Sequence, residues 1–124
     1  MRYRNLIVVA LIVVSVSTAH AVILDSAPLG NPTGNQLTCR VVNVGANPAT
    51  VVARLLNANG SNIATSTFPA CNGTIPLPPH GTCTTSLSGS IFARCNVTST
   101  SSKIRATLAV ESGGVASVIV PVTK

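Results

Sequence analysis

Four cysteines, and very few other reactive groups, set the chemistry open to this chain. Cys39, Cys71, Cys83 and Cys95 include no Cys-x-x-Cys pair, and His80 is the single histidine beyond residue 21. Tetrahedral metal sites draw on closely spaced ligand pairs, so these spacings point to disulfides rather than zinc. An even cysteine count in an exported chain reads as two bridges. Acid–base catalysis has little to work with. Beyond residue 21 there is one aspartate, Asp25, one glutamate, Glu111, and no tyrosine. A Ser-His-Asp arrangement would need His80 and Asp25 together, and glycoside hydrolysis would need Asp25 and Glu111. No Gly-x-Ser-x-Gly elbow is present. The expectation is a protein that is not an enzyme, with no catalytic residue, no metal site and no cofactor.

Binding chemistry is nearly as sparse. Phe68 and Phe92 are the only aromatic rings after residue 21, and the chain has no tryptophan. Stacking platforms for single-stranded nucleic acid need more than that. Arg40, Arg54, Arg94, Lys103, Arg105 and Lys124 are spaced singly rather than clustered, which also argues against a nucleic-acid partner. Two features remain. The first is the proline-rich stretch Pro69–Cys83, in which Ile75, Pro76, Leu77, Pro78, Pro79 and His80 form a possible recognition loop. Ile75 and Leu77 are expected to be exposed, and the prolines to stiffen them, so that less entropy is lost on docking. The second is the set Arg54, Arg94 and Arg105. If their strands share a sheet, the three line its outer face and offer a contact for phosphate or carboxylate groups.

The elements that must position these residues follow from patterning. Arg2 and Arg4 precede the apolar run Leu6–Ser17, and Ala19-His20-Ala21 supplies small residues at a cleavage site. Residues 1–21 therefore read as a signal peptide, with Val22 the first residue left and no stable membrane insertion after cleavage. The run is short for a membrane span. Residues 22–35 are dense in Pro, Gly and Asn and read as a loose N-terminal arm. Residues 36–124 read as a single domain, an all-β sandwich of about seven strands. Its strands are Leu37–Val44, Thr50–Leu56, Asn62–Phe68, Thr82–Leu87, Ile91–Thr98, Ile104–Val110 and Ala116–Val122. Several alternate cleanly: Ile91, Ala93, Cys95 and Val97 oppose Phe92, Arg94, Asn96 and Thr98. Pro121 lacks an amide donor and places the last strand at a sheet edge.

Cys39 and Cys95 fall on apolar strand faces. In an immunoglobulin-like topology they would occupy the second and sixth strands and bridge the two sheets. Cys71 and Cys83 bracket the proline-rich loop. Cys39–Cys95 and Cys71–Cys83 are therefore the expected pairs among the three connectivities open to four cysteines.

Leu37-Thr-Cys39-Arg-Val-Val-Asn43-Val-Gly45, Ala93-Arg-Cys95-Asn-Val97 and Leu77-Pro-Pro-His-Gly81 resemble segments of small secreted bacterial β-sandwich proteins of immunoglobulin-like type, a group of largely unassigned function. The resemblance spans about residues 36–110. It implies the sandwich fold and export to the periplasm or medium; the scarcity of titratable and aromatic groups leaves a structural or binding role there, toward an unidentified protein or envelope component. The alternative is a secreted protease inhibitor or ligand binder acting through residues 71–83. Asn59, Asn72 and Asn96 begin formal glycosylation sequons, which a bacterial host would leave unused.

Overall fold

Strand alternation carries directly into two packed sheets. The computed structural model describes residues 22–30 and 34–124, so the signal peptide read from residues 1–21 lies outside the described residues. Among the described residues nine strands run in chain order: β1 Val22–Asp25, β2 Leu29–Gly30, β3 Gln36–Asn43, β4 Val51–Leu56, β5 Ser66–Thr67, β6 Thr82–Ser88, β7 Phe92–Ser99, β8 Ile104–Ser112 and β9 Val115–Val122. A short 3₁₀ turn, Pro69–Cys71, precedes β6. In one sheet β7 is central, with β4 on one side and β1 and β2 in succession on the other. The second sheet runs β5-β6-β3-β8-β9, and every pairing is antiparallel. The result is an all-β antiparallel sandwich.

The core lies where the inward phases meet. Leu37, Cys39 and Val41 of β3, Leu108 and Val110 of β8, Leu55 of β4 and Cys95 and Val97 of β7 are buried between the sheets. Cys39 and Cys95 join β3 to β7 across the sandwich at a Cα–Cα distance of 6.0 Å. Cys71 and Cys83 join the 3₁₀ turn to β6 at 5.5 Å. Both expected bridges are present. The inter-sheet bridge is shared with immunoglobulin-type sandwiches, but the strand layout differs. There, the strand after the second cysteine strand stays beside it. Here β8 crosses to the opposite sheet to pair with β3, and β1 and β2 occupy the place beside β7.

Three expectations change. Residues 22–30 are not a loose arm. Val22-Ile-Leu-Asp25 pairs with Asn96–Ser99, Leu24 is buried, and the Ser26 hydroxyl accepts the Cys95 N–H at 2.8 Å. Of the residues that suggested an arm, Ser26, Ala27 and Pro28 make the break between β1 and β2. The run Asn62–Phe68 shortens to Ser66–Thr67, because the Asn62 side chain takes the N–H groups of Leu55 and Ala64 at 3.2 Å each. Such local side-chain bonds compete with a ladder. Finally, β4 and β7 belong to one sheet and β8 to the other, which separates Arg105 from Arg54 and Arg94. Pro121 does sit on an edge strand, β9. No helix among the described residues is long and apolar enough to cross a membrane.

Candidate functional site

The stretch between the 3₁₀ turn and β6 is pinned to the sandwich at alternate points. Asn72 forms an isolated bridge to Val52 of β4, and its carboxamide oxygen accepts the Thr74 N–H at 2.9 Å. Leu77 exchanges both backbone bonds with Ala49, at 2.8 and 3.0 Å. Its side chain is 1% exposed, in the core. Leu77 is therefore an anchor and not part of an exposed apolar surface. Between these two pins, Thr74, Ile75 and Pro76 are exposed, and Ile75 keeps half its surface in solvent.

A second displayed segment follows. Gly81 donates to the Pro78 carbonyl at 2.9 Å, closing a four-residue turn with Pro79 and His80 at its centre. Proline followed by a residue of positive φ is the sequence of a type II turn. The third position normally takes glycine; here it is His80, at φ 61. Among the described residues His80 is the one non-glycine with positive φ. Glycine is required at the next position, because a Cβ on Gly81 would meet Pro78 Cγ at 2.8 Å and the Pro78 carbonyl oxygen at 2.9 Å. Pro78 and His80 are exposed and Pro79 is half-buried.

One residue that sequence reasoning passed over holds both segments. Asn43 is fully buried at the end of β3. Its side-chain amide donates to the Asn47 and Leu77 carbonyls at 2.8 and 3.1 Å, and its carboxamide oxygen accepts the Gly45 N–H at 2.9 Å. Its backbone takes the His80 N–H and donates to the Gly81 carbonyl. The signal was an amide on the inward phase of an otherwise apolar strand, since a buried amide must find partners.

The arginines do not form a unit. Arg94 forms an ion pair with Asp25, which also accepts from the Asn96 amide at 3.0 Å. Arg54 sits opposite Asn96 on the same sheet. Arg105, on the other sheet, turns back to the Ile104 and Ser102 carbonyls at 2.9 and 3.4 Å. Glu111 pairs with Arg40 at 3.5 Å and accepts from the Thr38 hydroxyl at 3.3 Å. The two carboxylates thus stand on different sheets, each engaged by an arginine. No group of three His, Cys, Asp or Glu side chains among the described residues could hold a metal ion. Phe92 projects outward as its phase requires, and its ring lies over Gly30, where an added Cβ would meet it at 3.0 Å.

No protein-family model, curated protein or solved structure matches this chain. The two disulfides point to an oxidising, extracellular compartment, where such bonds persist.

Proposed function

We propose that the chain is an exported, non-enzymatic module of the cell envelope or medium that binds a protein partner through residues 74–80. The observation that carries this reading is the conformation of His80. A non-glycine residue in the left-handed region costs about 1–2 kcal/mol, and strained residues concentrate at binding sites, where the side chain is worth the strain. His80 is exposed and its backbone is held by the N–H bond to the Asn43 carbonyl at 2.8 Å, but its imidazole has no hydrogen-bond partner among the described residues, so the side chain is free to meet a partner. Beside it, Ile75 and Pro76 are presented between two pinned positions. That preorganisation lowers the entropy lost on docking.

The test separates display from folding. Thr74-Ile75-Pro76 is replaced by Gly-Ser-Gly while Leu77 is kept, and Leu77→Ala serves as the control for structural damage. The first variant should fold with both disulfides and lose a partner that the natural protein captures from the native envelope or medium. Equal capture by the Gly-Ser-Gly variant and by a second variant, His80→Gly, would leave the loop as a strand connection only. A panel of proteases, assayed with and without the protein, distinguishes an inhibitor from an adhesin-like module.

A further inference from the structure

The two outer edges of the five-stranded sheet are unlike. β5 is two residues long, too short to template another strand. β9 is eight residues long, and among the described residues its far side is met by a strand only at the end, where Thr123 exchanges two backbone bonds with Asp25, at 2.7 and 2.9 Å. Those bonds fix the phase of the edge. Thr123 directs its N–H and C=O away from β8, so Pro121 and Ile119, at period two, direct theirs the same way. The donor that Pro121 lacks falls on the free side, and the ladder to β8 loses nothing. What the edge offers is the N–H and C=O of Ile119 and the C=O of Pro121. A β-bulge bounds the stretch: Val118 pairs with Val110 but Ala116 with Glu111, and the extra residue, Ser117, donates its hydroxyl to the Val110 carbonyl at 3.3 Å.

The side chains along this edge are apolar on both faces. Ile119 is 61% exposed and Val118 46%, and Val120 is half-buried. Soluble proteins guard long edge strands with charge, commonly lysine. Here residues 112–123 contain no charged side chain.

We infer that β9 is a dimer seam, on which β9 of a second copy lies antiparallel across a twofold axis through Ile119. A twofold contact needs a self-complementary surface, and this one qualifies. The free stretch Ser117–Pro121 carries no charge, so it meets itself without repulsion, and its central residue, Ile119, presents both an N–H and a C=O outward. The Ile119 N–H of each copy donates to the Ile119 carbonyl of the other, and Val118 of one faces Val120 of the other. A head-to-tail stack is closed off because the opposite edge, β5, is too short, so association stops at two. A seam one strand wide is small for a stable interface, and the dimer should dissociate on dilution. This inference is independent of the loop reading.

The experiment is mass by sedimentation equilibrium on the exported protein at the highest concentration that stays soluble. The natural chain should show twice the chain mass and Ile119→Lys the single mass, with both disulfides and the β-sheet circular dichroism intact. Ile119 is largely in solvent, so lysine there should be tolerated. Ile119→Cys, on the axis, should be joined into a covalent dimer by a short bismaleimide, whereas Thr107→Cys, on the exposed face of β8, should not. A single mass for the natural chain overturns the inference, whether the edge then stays bare or takes a strand from another protein. So does a double mass that Ile119→Lys leaves unchanged, or failure of Ile119→Cys to cross-link.

Discussion

His80 is the residue at which stability and display pull apart. Its backbone adopts a left-handed conformation that glycine takes without penalty, in a turn already closed by Pro78 and Gly81. His80→Gly therefore relieves strain in the folded state, although the more flexible glycine also gains freedom in the unfolded chain. The net expectation is a stabilisation of up to about 1 kcal/mol, read from the urea midpoint with disulfides intact, together with weaker capture of the partner. Lower stability would mean that the imidazole itself supports the fold, and the case for display would go. Leu77 behaves oppositely. It reads as one more apolar member of a proline-rich loop, yet it is a core residue. Its pairing with Ala49 joins positions far apart in the chain by a single bridge, and no local pattern announces such a contact. Asn43 was nearer to legible, because an amide on an inward apolar phase demands buried partners, although the sequence could not say that those partners are loop carbonyls.

At the scale of elements, patterning placed six of the seven expected runs close to the observed strands, while the run Asn62–Phe68 reduces to the two residues of β5, and alternation put Cys39 and Cys95 on facing inner surfaces. The strand β1 was hidden for a physical reason: its Val-Ile-Leu follows directly on an apolar, leader-like stretch, so no change in composition marks where a strand begins. The arginine set failed because sheet membership is non-local. Period two gives the face of a strand but not the sheet, and β8 crosses over. The two bridges make a testable contrast here. Cys39–Cys95 spans a sequence separation of 56 and Cys71–Cys83 one of 12. Chain entropy assigns about 4 kcal/mol to the longer closure and about 3 kcal/mol to the shorter. The longer bridge also ties the two sheets, while the shorter ties a turn to one strand. The Cys39→Ala/Cys95→Ala pair should thus lose more stability than Cys71→Ala/Cys83→Ala, measured by denaturant titration. The second pair should also loosen residues 72–82, seen as faster amide exchange at Leu77 and Gly81 with β3 and β8 still protected. The reverse order of stabilities would show that native-state packing around each bridge outweighs loop closure.

Charge is a property of the whole molecule rather than of any one face. Of the six cations beyond residue 21, Arg54 and Arg94 lie on one sheet, Arg40 and Arg105 on the other, Lys103 in the loop between β7 and β8, and Lys124 at the chain end. Arg94 and Arg40 are partly neutralised by Asp25 and Glu111. Charges on opposite sheets are screened from one another over about 8 Å at physiological ionic strength, so the Arg54–Arg94 side and the Arg40–Arg105 side act on an anionic surface separately. Retention on a cation-exchange matrix should therefore fall in separate, similar steps. Arg54→Ser and Arg105→Ser should each lower the eluting salt modestly, and the double variant should show the sum. Arg94→Ser should shift elution by a comparable step, since it removes a positive charge and leaves the Asp25 carboxylate without its arginine. Loss of retention on any single substitution would reveal a cooperative anion site that the separation of β8 from β4 and β7 argues against.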